Sequence, residues 1–241
     1  MKKGLGFLAI GLCVGWTGAS TCADQVFSDS FDSDTEWLPP TQWEKCTNWT
    51  VVSWGGGKLI ENQGVEGTSV TQFLTHRFST PVPDTWRIDC RYGWQWGGEV
   101  TEDCGNYTFI INMDMLDNRQ NGYRVAVHQG VLLGGRPDNL VEIYRMREGG
   151  PVSLLAQGKG YNHAGWKGLE APEPVLYPIR LERSRGGLLT AYRNTGSGWE
   201  AVATATDNTY SVFFTQIRLG AAGWNMSEIP QLDDVQVTVA P

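Results

Sequence analysis

Polar side chains at alternating positions of three consecutive segments are the strongest candidate for a chemical site. If the segments pair as neighbouring strands, alternation places these side chains on one face. They are Arg87, Asp89, Arg91 and Gln95 from the first segment, Asn112 and Asp114 from the second, and Arg124 and His128 from the third. Such a face can hydrogen-bond a ligand's hydroxyl or carboxylate groups. It can equally be the solvated face of half-buried strands.

Within this set, a turn centred near Arg119 places Asp114 opposite Arg124, within reach of a cross-strand ion pair. The face could also support base catalysis. His128 would remove the proton beside a uronate carboxylate, since the pKa of imidazole lies near neutrality. Arg124 and Asn112 would neutralise that carboxylate, and Tyr144 would donate a proton to the leaving oxygen. The alternative is a histidine that is simply exposed on a strand.

Tryptophan is abundant, with 11 residues in the chain. Flat indole rings stack on apolar ring faces of ligands, but they also fill protein cores. Trp86, Trp94 and Trp96 share parity with Ile88 and Tyr92, which predicts that all three are core residues. Three tryptophans in or beside predicted loops are the candidate ligand contacts: Trp54, Trp166 and Trp224.

The elements that must position these side chains are β-strands. No stretch of more than about ten residues shows a 3.6-residue apolar period, so helices are not expected to organise the chain. Short alternating runs bounded by turn residues indicate an all-β fold, a two-sheet antiparallel β-sandwich. We expect strands at Val26–Phe31, Trp49–Ser53, Lys58–Glu61, Thr71–Phe78, Trp86–Trp96, Asn106–Leu116, Tyr123–His128, Leu140–Arg147, Val152–Ala156, Tyr177–Arg183, Leu188–Arg193, Trp199–Thr204, Phe213–Leu219 and Asp233–Val239.

Three of these runs are expected to pair consecutively. Trp86–Trp96 alternates strictly, Gly97 and Gly98 turn the chain, and Asn106–Leu116 follows as the return strand. Tyr123–His128 then completes a three-stranded meander. This pairing would bring all the polar side chains of the candidate face together.

The N-terminal residues are typical of a secretory signal. Lys2 and Lys3 precede an apolar run from Gly4 to Trp16, and small residues lead up to Ala23. We predict a signal peptide over 1–23 and a single domain over 24–241, secreted, periplasmic or at the cell surface of a bacterial host. The apolar run is too short to span a membrane stably.

The net charge limits the classes of partner that this chain can bind, and its cysteines indicate an oxidising compartment. Removing Lys2 and Lys3 leaves 19 − 2 = 17 basic residues against 26 acidic ones, so the mature charge is 17 − 26 = −9. This disfavours nucleic acid as a partner. No organic cofactor is expected. Of the cysteines beyond the signal, Cys90 and Cys104 are predicted to form a disulfide between adjacent strands, which leaves Cys46 without an assigned partner.

Several short motifs occur in an order that resembles a known superfamily. They are Phe27-Ser28-Asp29-Ser30-Phe31-Asp32, Trp49-Thr50-Val51, Gly57-Lys58-Leu59, Asn121-Gly122-Tyr123-Arg124-Val125, Ile179-Arg180-Leu181-Glu182-Arg183, Leu189-Thr190-Ala191-Tyr192 and Leu232-Asp233-Asp234-Val235. The set resembles the concanavalin A-like lectin and glucanase superfamily, in its laminin-G-like jelly-roll form from bacterial secreted proteins. The resemblance covers nearly the whole mature chain and implies a jelly roll that binds a polysaccharide or oligosaccharide.

The resemblance also implies a structural Ca²⁺ that ties the first and last strands together. Carboxylate and backbone oxygens suit this hard cation. The candidate ligands are Asp29, Asp32, Asp34, Asp233 and Asp234. The alternative is a polar N-terminal loop followed much later by an ordinary strand start.

Two catalytic patterns of the superfamily are absent. The endo-glucanase branch carries Glu, Asp and Glu at alternating strand positions, whereas Glu99, Glu102 and Asp103 lie in a turn at the wrong spacing. The alginate-lyase branch carries a Gln-Ile-His strand, and here Arg218 follows Gln216 and Ile217 in place of histidine. The sequence therefore favours a non-catalytic glycan-binding domain, with a polysaccharide lyase and a structural or adhesion module as the alternatives.

Overall fold

The structure is a computed structural model that describes residues 24–44, 48–54, 56–62, 72–96, 108–130, 140–161, 176–223 and 228–239. The predicted signal peptide over 1–23 lies outside the described residues, as do Cys46, Cys104, Trp166 and Trp224. No helix in these described ranges is long and apolar enough to cross a membrane.

The regular secondary structure of the described residues consists of β-strands and one 3-10 turn. The strands are β1 (Gln25–Asp29), β2 (Trp49–Trp54), β3 (Gly57–Asn62), β4 (Gln72–Val82), β5 (Trp86–Trp96), β6 (Thr108–Leu116), β7 (Gly122–Gly130), β8 (Leu140–Arg147), β9 (Gly150–Lys159), β10 (Tyr177–Ser184), β11 (Leu188–Asn194), β12 (Trp199–Thr206), β13 (Phe214–Gly223) and β14 (Glu228–Val239). A 3-10 turn at Arg185–Gly187 separates β10 from β11.

These strands form two antiparallel sheets. The eight-stranded sheet has the order β12-β11-β10-β5-β14-β3-β2, and β1 also pairs with β14. The six-stranded sheet has the order β4-β13-β6-β7-β8-β9. This arrangement confirms the predicted all-β, two-sheet antiparallel sandwich.

The core lies between the two sheets and follows the predicted alternation. In β5, the side chains of Trp86, Ile88 and Tyr92 are completely buried. The Trp86 ring meets Phe214 of the six-stranded sheet edge to face, with ring centroids 5.6 Å apart. Apolar residues from both sheets belong to one cluster, so a single core holds the two layers together.

The predicted meander is wrong in its first member. β5 pairs with β10 and β14, where Trp86 lies opposite Arg183 on one side and Val239 on the other. β6 instead pairs with β7 and β13, and the meander runs β6-β7-β8-β9. Alternation determines which residues face a core, but it is the same whichever strand becomes the neighbour.

This correction divides the predicted polar face between opposite surfaces of the sandwich. The eight-stranded sheet carries Arg87, Asp89 and Arg91, together with the backbone of Gln95, whose side chain is outside the described part of the structure. The six-stranded sheet carries Asn112, Asp114, Arg124 and His128.

The predicted Cys90–Cys104 disulfide loses its rationale for the same reason. It required β5 and the strand after Cys104 to be adjacent, but these strands lie in different sheets. Cys90 is a buried free thiol whose Sγ lies 3.3 Å from the Arg91 carbonyl oxygen and 3.6 Å from that of Asp233. Burial raises the pKa of this thiol, so it stays protonated and unreactive.

Candidate functional site

A row of four polar side chains crosses the outer face of the six-stranded sheet. Antiparallel register places Arg218 of β13 beside Asp114 of β6, Asp114 beside Arg124 of β7, and Arg124 beside Tyr144 of β8. Neighbouring residues of these strands, such as Met113 and Val125, point the other way and are buried in the core. The row therefore results directly from alternation combined with this strand order.

Asp114 is the centre of the row. Its carboxylate accepts bonds from Arg124 Nε at 2.6 Å and Arg124 Nη2 at 2.9 Å. It also accepts from Arg218 Nε at 2.8 Å and lies 2.6 Å from Arg218 Nη2. The predicted ion pair between Asp114 and Arg124 is confirmed. Asp114 is 0 % exposed, Arg124 7 % and Arg218 9 %, so both arginines are held in fixed positions by a buried acid.

An aromatic ring completes this part of the face. Phe73 of β4 lies beneath both guanidinium groups, with its centroid 4.0 Å from the Arg218 carbon and 5.6 Å from that of Arg124. Contacts of this kind attract a cation to the ring face. Phe73 therefore restricts the arginines further and adds an apolar surface next to their N–H donors.

A second group of polar side chains lies beside the row. Glu142 Oε2 is 2.6 Å from His128 Nε2 and accepts a bond of 2.6 Å from the Tyr144 hydroxyl. The contact with His128, and then that with Tyr144, lower the pKa of Glu142, so its carboxylate is ionised at neutral pH. Burial and this anion raise the pKa of Tyr144, which keeps its proton.

The structure thus brings together His128, Tyr144 and Arg124, which the sequence proposed as one set, and buries Asn112 on the same sheet. Sequence analysis missed Glu142, Phe73 and Arg218 as site residues. Arg218 could have been identified from the sequence. It stands where the alginate-lyase strand has its histidine, and its position directly after the inward-facing Ile217 puts it on the outer face.

The other predicted ligand contacts lie elsewhere. Arg87 and Arg91 line a depression of about 620 Å³ on the eight-stranded sheet. Trp54 lines a separate depression of about 490 Å³ near the turn between β2 and β3, together with Asp32 and Lys58. The predicted ligand contacts that the structure describes are therefore divided among three separate places on the molecule.

The five acids proposed as calcium ligands do not form a metal site. In the described ranges, no group of three His, Cys, Asp or Glu residues is placed to hold a metal ion. Both carboxylate oxygens of Asp29 are occupied, by the Phe31 N–H at 2.8 Å and the Trp43 indole N–H at 2.9 Å. One oxygen of Asp34 accepts from the backbone and hydroxyl of Thr41.

Two cationic side chains lie among these residues. The Lys58 ammonium donates to the carbonyl oxygens of Asp32 at 3.1 Å and Asp34 at 2.6 Å. Arg91 Nη2 lies 2.6 Å from a carboxylate oxygen of Asp233 and 2.6 Å from one of Asp234. Arg91 therefore neutralises Asp233 and Asp234, whereas Lys58 binds backbone carbonyl oxygens, and Asp34 Oδ2 is buried without a hydrogen-bond partner in the described ranges. The five acids together do not form one calcium ligand set.

Comparison with known proteins gives the fold. No family model matches the sequence, and no curated protein matches it. The exoplasmic/lumenal domain of VIP36, in a Ca²⁺- and Man3GlcNAc-bound form, has a TM-score of 0.55 at 10% identity, covering 84% of this chain and 84% of that one. The winged bean acidic lectin, complexed with methyl-α-D-galactose, gives 0.51 at 9% identity, covering 88% of this chain and 97% of that one.

A third solved structure supports the same assignment. Lectin UEA-II complexed with galactose has a TM-score of 0.51 at 11% identity, covering 89% of this chain and 99% of that one. These alignments extend over most of both chains, so they describe the whole sandwich and not one shared hairpin. The chain therefore has the same jelly-roll fold as these lectins, which is the fold that the resemblance in its sequence implies.

Proposed function

We propose that this chain is a secreted, non-catalytic carbohydrate-binding domain whose glycan site is the outer face of the six-stranded sheet. The observation that carries the proposal is the fixed row of Arg218, Asp114, Arg124 and Tyr144 on four adjacent strands. The sugar ligands named for structures of this fold, a mannose-containing glycan and galactose, support the ligand class.

The chemistry of the row suits hydroxyl-rich ligands. A guanidinium has five N–H donors, and the bonds to Asp114 use only two N–H-bearing nitrogens of each arginine. Arg218 Nη2 also donates to the Gly149 carbonyl oxygen at 2.8 Å, so the donors left for sugar oxygens are those on Nη1 of each arginine and the second N–H of Arg124 Nη2. The Phe73 ring offers an apolar surface for C–H groups. Since Asp114 already orders both arginines, a glycan that binds them loses little side-chain entropy.

The same contacts argue against a glycosidase. Glycoside hydrolysis needs one carboxyl group that is protonated and a second that acts as base or nucleophile. Contacts with His128 and Tyr144 lower the pKa of Glu142, which therefore holds no proton to donate. Asp114 has both oxygens engaged by arginines.

A polysaccharide lyase is the second candidate, because Arg124, Tyr144 and His128 lie on adjacent strands. In that reaction His128 takes the proton beside the uronate carboxylate and the electron pair forms a C=C bond. The bond from carbon to the glycosidic oxygen breaks, and Tyr144 gives its proton to that oxygen. The raised pKa of Tyr144 opposes this proton transfer, which favours the binder.

The test combines binding and turnover on the purified protein. Neutral and uronic-acid polysaccharides are screened by affinity electrophoresis and by the ultraviolet absorbance of unsaturated products. We expect retention by at least one polysaccharide, no product, and weaker retention for Tyr144→Phe. Tyr210→Phe is the matched control, because Tyr210 packs on the inward-facing Tyr123.

Three results would overturn this proposal. Formation of unsaturated product that disappears in His128→Ala would establish the lyase. Absence of both retention and product over the whole panel would point to a structural or adhesion module. Retention that is equally strong in Tyr144→Phe and in wild type would move the glycan site away from this face.

A further inference from the structure

The outer face of the eight-stranded sheet carries a second polar depression, on the opposite side of the molecule from the row. It has a volume of about 620 Å³ and lies across β10, β5, β14 and β1. Trp199, the first residue of β12, borders it beside Asn194, the last residue of β11, and Ser33 and Gln42 also line it. A space of this size accommodates a small ligand.

The charged groups in this depression neutralise one another. Asp89 bridges two arginines, with Arg180 Nε at 2.6 Å from one oxygen and Arg87 Nε at 3.2 Å from the other. Arg91 bridges the carboxylates of Asp233 and Asp234 at 2.6 Å each. The floor therefore presents alternating donors and acceptors without a dominant charge, which suits a neutral polyhydroxylated ligand better than a polyanion.

Trp199 supplies an apolar surface at the border of the depression. Its side chain is 36 % exposed, and the Arg180 guanidinium lies 3.9 Å from the centroid of its ring. Because Arg180 is also bonded to Asp89, this contact orients the indole. An oriented, partly exposed indole beside hydrogen-bonding groups is the combination that binds the C–H face of a sugar ring.

The backbone at the opposite border is strained. Asp234 has a φ of +47° and lies in an irregularity of β14 between Asp233 and Gln236. A bulge of this kind redirects a side chain, and strain in the left-handed region persists where the surroundings enforce it. Here it directs the half-exposed Asp234 carboxylate toward Arg91 and the depression.

We infer that this depression is a second saccharide site, specific for neutral oligosaccharides, which makes one chain bivalent. The choice of a saccharide rests on the proposed function, whereas the location and the preference for neutral ligands rest on the depression itself. Sites on opposite faces of a sandwich cannot hold adjacent sugars of one short oligosaccharide. The domain would therefore link separate polysaccharide chains.

The test is titration calorimetry with neutral hexaoses of glucan, xylan and mannan. We expect at least one hexaose to bind the wild type, and Trp199→Ala to weaken this binding about tenfold, the order of one lost stacking contact. Trp199→Phe, which keeps an aromatic ring, should lose less. Trp37→Ala is the control, because Trp37 is an exposed tryptophan that borders neither site and should leave binding unchanged.

The two proposals fail separately. If no hexaose binds, or if Trp199→Ala binds every hexaose as wild type does, the second site is overturned, whatever Tyr144→Phe does to polysaccharide retention. If Trp199→Ala weakens hexaose binding while Tyr144→Phe has no effect on any ligand, the second site stands and the site on the six-stranded sheet fails.

Discussion

Replacing Asp114 by asparagine is expected to be among the most destabilising single changes on the six-stranded sheet. Asparagine has nearly the shape of aspartate but lacks its charge. The substitution would leave Arg124 and Arg218, both less than a tenth exposed, without their shared anion. Removing one partner from a buried ion pair costs about 3–5 kcal/mol, because the remaining charge stays out of water.

Equilibrium unfolding in urea, followed by tryptophan fluorescence, measures this loss. We expect the free energy of unfolding of Asp114→Asn to fall by about 3–5 kcal/mol. Glu44→Gln is the matched control, since Glu44 is paired with Arg77 at the surface, where both side chains are about half exposed. A surface pair contributes about 0–1 kcal/mol, so the control should change little.

A loss in Asp114→Asn no larger than in the control would refute the reasoning. It would mean that the two guanidinium groups reach water when Asp114 no longer holds them. In that case the row is not rigid, and the entropic argument for glycan binding fails with it.

Two further predictions concern the acids near the chain termini. The Lys58 ammonium binds the carbonyl groups of Asp32 and Asp34, so EDTA should leave the melting temperature of the wild type unchanged. Lys58→Met should lower the free energy of unfolding by about 1–2 kcal/mol. A melting temperature that falls in EDTA would contradict this explanation. Burial, and then the Asp234 charge, raise the pKa of Asp233 to about 6, above its ordinary value. Ionised Asp233 therefore lowers the free energy of unfolding above pH 6, and this penalty disappears as the pH falls toward 4. Asp233→Asn should therefore be more stable than wild type at pH 8, by up to about 3 kcal/mol, and equal to it near pH 4; a difference independent of pH would exclude this cause.

The strands and their faces were predictable because they depend on local alternation. Each predicted strand occurs, and Trp86, Ile88 and Tyr92 of β5 are buried as its parity predicts, whereas the side chains of Trp94 and Trp96 lie outside the described part of the structure. The Asp114–Arg124 pair was also predictable, since one short turn connects β6 to β7. The partner of β5 was not predictable in this way. Its neighbours β10 and β14 are distant in the sequence, and a period of two is compatible with any neighbour.

The candidate site shows the same division. Sequence selected Arg124, His128 and Tyr144 from residue chemistry, and these three do lie on neighbouring strands. Arg218 joins them only because β13 inserts between β4 and β6, a pairing that spans about half of the chain. Likewise, five acids suggested calcium, and only the fold shows that the Lys58 ammonium binds backbone oxygens of Asp32 and Asp34 and that Arg91 pairs with Asp233 and Asp234.

The sequence by itself determined the all-β class, the positions of the strands and the side of each strand that faces the core. These properties follow from the two-residue alternation of apolar and polar side chains, which can be seen in consecutive residues of the sequence. The tertiary structure decided which strands are neighbours and therefore which polar residues share a face. It also decided which charges neutralise one another. Those outcomes depend on contacts between residues far apart in the chain, where burial and not local pattern selects the partner.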